Sequence, residues 1–223
     1  MPLTDPHPRP LSRPPGGRGE HAKFITFEGI DGAGKSTLLD SVVGALAGRG
    51  IDHVRTREPG GTALGEALRA MLLRESMAPL TETLLMFAAR AEHVRMVIAP
   101  ALAQGRWVIC DRFLDASYAY QGGGRGVPAA TLDALAAWSN PEGRQPDLTI
   151  LVDIDPRLAQ QRLAQARASD RFELESGSFF RDVRDAYLQR AQAEPGRFLV
   201  LDGKLAPGEL ANLVARKIES WLT

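Results

Sequence analysis

Residues Gly29 to Ser36 read Gly-Ile-Asp-Gly-Ala-Gly-Lys-Ser and match the pattern G-x-x-x-x-G-K-[ST] at every position. Glycines let a backbone approach a polyanion closely, and successive N–H groups at a helix start can cradle phosphate. The run Gly29, Ile30, Asp31, Gly32, Ala33, Gly34, Lys35, Ser36 and Thr37 is therefore expected to wrap a nucleotide polyphosphate. Lys35 would reach the β- and γ-phosphates, and the Ser36 hydroxyl is placed to ligate Mg²⁺. Three further polar clusters each follow an apolar run. They are Thr56-Arg57-Glu58-Pro59-Gly60-Gly61, then Asp111-Arg112 with Ser117 and Tyr120 to Gly126, then Asp153-Ile154-Asp155 leading to Arg157, Arg162, Arg167 and Arg171. Asp111 is a second candidate Mg²⁺ ligand, and Arg112 has the planar guanidinium suited to bidentate phosphate binding. Arg57 either faces an anionic acceptor or forms a solvated pair with Glu58. Gly122 to Gly124 read as a hinge, a plain loop or a close approach to ligand. The four arginines recur every five residues or so and share no single helix face, which fits a mobile lid better than a basic stripe.

These clusters need a scaffold that brings them to one edge. Short apolar runs at 23–28, 52–57, 106–111, 147–153 and 197–202 alternate with helical patterns at 35–49, 62–74, 80–103, 128–139, 156–167, 177–193 and 207–222. Continuous apolar strands separated by helices predict a doubly wound α/β fold, a five-stranded parallel sheet flanked by helices, with ligands at the carboxyl ends of the strands. Asp155-Pro156 marks a helix start, Gly50 a helix end, and Pro100 is expected to kink or end its helix. Residues 1–21 hold six prolines and are expected to be a disordered tail, leaving 22–223 as one domain with a lid at about 156–178.

Lysine plus arginine equals aspartate plus glutamate at 27 each, so no global field favours nucleic acid or a membrane surface. The single Cys110 excludes an internal disulfide and reads as a small buried hydrophobe. The absence of a membrane-length apolar run or a signal-peptide core gives a cytoplasmic expectation.

In order along the chain, Phe-Glu-Gly-Ile-Asp-Gly-Ala-Gly-Lys-Ser, Arg-Glu-Pro-Gly-Gly, Phe-Ala-Ala-Arg, Asp-Arg-Phe and Ala-Tyr-Gln-Gly-Gly-Gly-Arg-Gly resemble bacterial thymidylate kinases over about residues 23 to 222. The resemblance implies the fold of the P-loop nucleoside monophosphate kinases, ATP-dependent phosphorylation of dTMP to dTDP with Mg²⁺, and a homodimer. It implies roles as well. Asp31 would accept from the acceptor 3′-hydroxyl, Arg57 and Arg112 would hold the dTMP phosphate, and Arg90 would bond the thymine carbonyl edge. Ser117 and Gln121 would contact the base, and Tyr120 would pack on the deoxyribose. Either Met86 or Phe87 would cover the base, the family's usual aromatic position being Met86 here. Some members carry a catalytic arginine inside the loop. Gly32 stands there in this chain, so Arg162, Arg167 and Arg171 would join Lys35 and Arg112 as catalytic cations. Two alternatives stay open. One is a deoxynucleoside or other nucleoside monophosphate kinase, with Glu58 as base in the first case. The other is a P-loop switch NTPase acting through a partner.

Overall fold

The computed structural model describes residues 22–163, 171–172 and 175–221. The expected tail, most of the expected lid loop and Arg167 lie outside the described residues.

Five parallel strands form one sheet in the order β2-β3-β1-β4-β5. They are β1 (Phe24–Glu28), β2 (His53–Arg57), β3 (Trp107–Asp111), β4 (Leu148–Asp153) and β5 (Phe198–Asp202), each within one residue of its expected bounds. Alternation along each strand sends side chains to opposite faces. Ile25, Phe27 and Ile109 join one apolar cluster, while Phe24, Val108 and Cys110 join another with Phe87 and Phe113. Cys110 is wholly buried, as expected.

The helices are α1 (Lys35–Gly48), α2 (Ala63–Arg74), α3 (Pro79–His93), α4 (Ala99–Ala103), α5 (Leu114–Ser117), α6 (Ala129–Ser139), α7 (Pro156–Leu163), α8 (Gly177–Ala193) and α9 (Pro207–Glu219). Gly50 ends α1 at positive φ, with its N–H on Ala47 and that of Ile51 on Leu46, a closed C-terminal turn. The Asp155 carboxylate accepts from the Arg157 N–H at the start of α7. Among the described residues no helix is long and apolar enough to cross a membrane.

Two expectations are corrected. The span 80–103 is not one kinked helix. A π-helical turn, Val94–Ile98, follows α3, and Pro100 sits in the first turn of α4, where its missing N–H costs little. The triple glycine is neither hinge nor plain loop: Tyr118–Gly124 continues α5 as a π-helical segment packed on α8. A Cβ on Gly123 would lie 2.7 Å from Ala186 Cβ, and one on Gly124 would lie 2.4 Å from the Phe179 ring. The glycines let two backbones close up.

The parallel register gathers three strand ends. Phe27 and Arg57 both pair with Asp111. The Glu58 N–H then donates to the Asp111 carbonyl and the Arg112 N–H to that of Phe27.

Candidate active site

The phosphate-binding loop leaves β1 and opens α1. No side chain caps this helix start among the described residues, so its first N–H groups remain for a ligand. Lys35 is buried and donates to the Ile30 carbonyl at 2.9 Å, with Asp31 3.8 Å away. Burial, and then the charge of Arg112, draws the Lys35 ammonium below its ordinary range. Gly32 has φ +81°, and a Cβ there would meet the Ala159 carbonyl of α7 at 2.4 Å. The space a loop arginine would need is filled by α7.

Arg112 follows β3 in the left-handed region, φ +68°, the only such non-glycine residue among those described. That conformation is unfavourable for a bulky side chain and persists only when its surroundings hold it. Here they do. Nη1 donates to the Gly29 carbonyl (2.9 Å) and the Tyr187 hydroxyl (3.0 Å). Nη2 donates to Asp31 Oδ1 (2.8 Å) and the Tyr120 hydroxyl (3.1 Å). Tyr187 donates onward to Glu28 Oε2 at 2.7 Å, and Glu28 Oε1 accepts from the Phe113 N–H. Burial, then the charge of Asp115, pushes the Glu28 carboxyl up to about 8. Burial also acts to raise Asp31. The charges of Arg112 and Lys35, with hydrogen bonds from Arg112 and Tyr120, outweigh it and hold this carboxyl well below the usual carboxylate range.

Beyond Asp31 lies an open cleft. Asp31, Arg69 and Arg112 stand among its walls, together with Met86, Arg90, Ser117, Tyr120 and Gln121. Arg90 is almost fully buried. It donates from Nε to Glu58 (2.7 Å), from Nη1 to Ser117 Oγ (3.0 Å) and from Nη2 to the Phe113 carbonyl (3.0 Å), and lies over the Phe87 ring. Phe87 is thus packed behind Arg90 and does not line the cleft, whereas Met86 does. Glu58 is held below its ordinary range: burial acts to raise it, but Arg90 and a hydrogen bond with His93 prevail. Both its oxygens are occupied, so it is not a free base.

Three expected residues stand apart from the cleft. Arg57 is half exposed and paired with Glu66 at 2.7 Å. Arg162 donates to the Gly203 carbonyl at 3.0 Å. Arg171 donates to the Leu72 carbonyl (3.0 Å) and to Glu82 (2.8 Å).

The sequence reading missed Arg69, which donates to the Pro59 carbonyl at 3.1 Å and lines the cleft. Its signal was the helix period. Gly65, one turn earlier, lies so close to Gly60 that a Cβ would be 2.5 Å from its carbonyl oxygen, which turns that face of α2, and Arg69 with it, inward. Burial, then the charges of Arg57 and Arg112, lowers the affinity of Arg69 for its proton. Mutually repelling guanidiniums beside one cleft make a site for an anion.

Asp111 Oδ1 is buried without a hydrogen-bond partner among the described residues. An orphaned carboxylate oxygen at the end of β3, with Ser36 opening α1, suits Mg²⁺. That ion keeps several waters and takes only one or two protein oxygens when a nucleotide shares it.

A thymidylate kinase family model matches residues 27–214. A thymidylate kinase of Methylobacillus flagellatus is 59% identical over 81% of this chain and 89% of its own length. One from Thiobacillus denitrificans is 54% identical over 88% and 96%. The crystal structure of thymidylate kinase from Ehrlichia chaffeensis superposes with a TM-score of 0.74 at 33% identity, covering 90% of this chain and 99% of that one. A phosphate-binding loop beside a cationic cleft, matched over nearly the whole domain by proteins of one activity, leaves a single assignment: the chain belongs to the thymidylate kinase family.

Proposed function

We propose that this enzyme transfers the γ-phosphoryl group of ATP to dTMP, giving dTDP and ADP. The observation that carries the reading is the position of Asp31. It belongs to the phosphate-binding loop and also lines the cleft, so donor and acceptor sites share a wall.

In this reading Gly29 to Thr37 bind the ATP phosphates. Ser36 and Asp111 would hold Mg²⁺, which would supply positive charge to offset that of the phosphates. Arg69 and Arg112 take the dTMP phosphate, while Arg57 is held outside the cleft by Glu66. Asp31 receives the sugar 3′-hydroxyl, Tyr120 covers the deoxyribose, and Arg90, Ser117 and Gln121 meet the base beside Met86. A phosphate monoester has its second pKa near ~6 and is already an anionic nucleophile at neutral pH, so no general base is needed. The barrier is repulsion between two polyanions, and the chain answers it with position and charge. Gly32 supplies no cation. Arg162 and Arg167 are the source of the further positive charge, and Arg171 serves to anchor its segment on Glu82. A homodimer accords with this reading through the apolar side chains left exposed on α2 and α3.

The test is ADP release measured over dTMP, dUMP, CMP, AMP and thymidine. Release is expected to depend on dTMP and to fall by roughly 10³-fold in Lys35→Ala, given what single phosphate cations contribute. ATP hydrolysis indifferent to dTMP would refute the proposal. Glu58, bound to Arg90 and His93, gives no support to a nucleoside as acceptor.

A further inference from the structure

Glu82 touches neither nucleotide in the phosphoryl-transfer scheme, yet it is wholly buried behind Gln121, which lines the cleft. Glu82, Met86 and Arg90 recur every four residues along α3 and so share one face. Opposite them, Ser117 of α5, Gln121 of its π-helical continuation and Arg125 just past its end recur every four residues. The two stripes are zipped together at both ends. Arg90 donates to Ser117 at one end. At the other, Glu82 Oε1 accepts from Gln121 Nε2 at 2.9 Å, with Arg125 and Arg171 also donating to the carboxylate.

This arrangement decides which way the Gln121 carboxamide faces. The two ends of a carboxamide differ chemically, one donating and one accepting, and only the surrounding network tells them apart. A carboxylate ion-paired to two arginines only accepts, so Gln121 must offer it the NH₂ group. Gln121 Oε1 has no protein partner among the described residues, and Gln121 lines the cleft. Arg90 uses three of its five N–H groups on protein, which leaves one on each terminal nitrogen.

We propose that Glu82 sets the base preference of the enzyme. By holding Gln121 Nε2 it turns Gln121 Oε1 to the ligand, so the cleft presents an acceptor beside the Arg90 donors. The matching edge is a ring carbonyl next to a ring N–H, the C4=O and N3–H of a 4-keto pyrimidine. Cytosine presents the reverse order, a C4 amino donor beside an N3 acceptor, and would leave both protein groups facing like partners. Mismatched polar groups of this kind are rejected far more strongly than a missing methyl group. Glu82 is a positioning residue: it acts on the ligand only through Gln121. The inference rests on the reading that dTMP occupies this cleft.

The test is kcat/KM for dTMP, dUMP and dCMP in the wild type and in Glu82→Gln. A glutamine at 82 can donate as well as accept, which frees the Gln121 carboxamide to turn over. The dTMP:dCMP ratio is expected to fall at least tenfold, with dUMP following dTMP because it carries the same edge. A folded variant that loses activity on all three substrates in proportion, its ratio unchanged, would overturn the role of Glu82. Failure of the wild type to use dTMP at all would instead overturn the functional reading. Should Glu82→Gln not fold, the wild type answers by NMR with ¹⁵N-glutamine labelling, the Gln121 NH₂ signal being identified by its loss in Gln121→Leu. These protons are expected to exchange slowly and to shift little on dTMP addition, because they face Glu82. A large ligand-induced shift would show the NH₂ facing the base and overturn the proposal.

Discussion

At the scale of single residues, the site is governed by what surrounds each charge. Asp31 and Glu28 lie three positions apart on the same strand-to-loop turn, yet their proton affinities move in opposite directions. Asp31 has Arg112 and Lys35 beside it, while Glu28 is sealed beneath Tyr187 with the charge of Asp115 nearby. The consequence for stability follows from linkage. A carboxyl raised from 4.5 to about 8 binds more protons folded than unfolded, so its stabilising contribution is complete below 4.5 and is lost as pH rises toward 8. Asp31 acts in the opposite sense: its contribution is present above its unfolded pKa and is lost in acid. Glu28→Gln should therefore gain stability relative to wild type as pH is raised from 4.5 to 8, read as a growing difference in Tm. A constant difference across that window would show that Glu28 does not carry the raised affinity. Arg112 is the other residue-scale finding. Its type was legible in the sequence as a phosphate ligand, but its positive φ and its Tyr187 partner were not. Tyr187 lies 75 residues further along the chain.

At the scale of elements, the segment Tyr118–Gly124 lies close along α8 because Gly123 and Gly124 have no side chains where they meet Asp182, Ala186 and Phe179. Tyr120 and Gln121 precede three glycines, so the helix that presents them to the cleft can press its far side onto α8. Gly123→Ala would place a methyl group 2.7 Å from Ala186 Cβ and 2.8 Å from the Asp182 carbonyl oxygen. Overpacking of this kind costs about 1–3 kcal/mol. Urea denaturation should show that loss, with a raised KM for dTMP because Tyr120 and Gln121 move with the backbone. An unchanged midpoint would mean that the two helices separate freely. A Gly-Gly-Gly run reads as a flexible loop in sequence because glycine is permissive. Which use of that permissiveness applies depends on a neighbour far along the chain, which local sequence cannot report. The π-helical turn before Pro100 was hidden for a different reason: it widens one turn of a helical pattern that is otherwise regular.

At the scale of the whole molecule, Leu64 and Met71 on α2 and Leu80 and Leu84 on α3 are about half exposed. Exposed apolar side chains on neighbouring helices are what a subunit interface leaves uncovered in one chain. Light scattering after size exclusion should give twice the 24.2 kDa chain mass, and Leu84→Glu should shift the population toward that single mass. A wild-type monomer at micromolar concentration would contradict the homodimer. The cleft is built within one chain, so loss of the dimer is expected to lower stability more than the chemical step.

The order of chemistry along this chain is legible in its amino-acid sequence alone. Apolar strands alternate with amphipathic helices, each polar cluster follows a strand, and a parallel sheet sends every strand end to one edge. That logic put Lys35, Ser36, Asp111, Arg112, Ser117, Tyr120 and Gln121 at one edge, because periodicity and motif are local properties of sequence, whereas Arg90, inside a helix, was marked only by the family resemblance. Tertiary structure alone decided which atoms face one another. It set Arg57 outward on Glu66, packed Phe87 behind Arg90, bound Arg162 and Arg171 to protein groups, and brought Arg69, Tyr187 and Glu82 to the site unannounced. Hydrogen bonds between side chains depend on ångström separations across distant segments. The sequence specifies those separations only through the packing of the complete core.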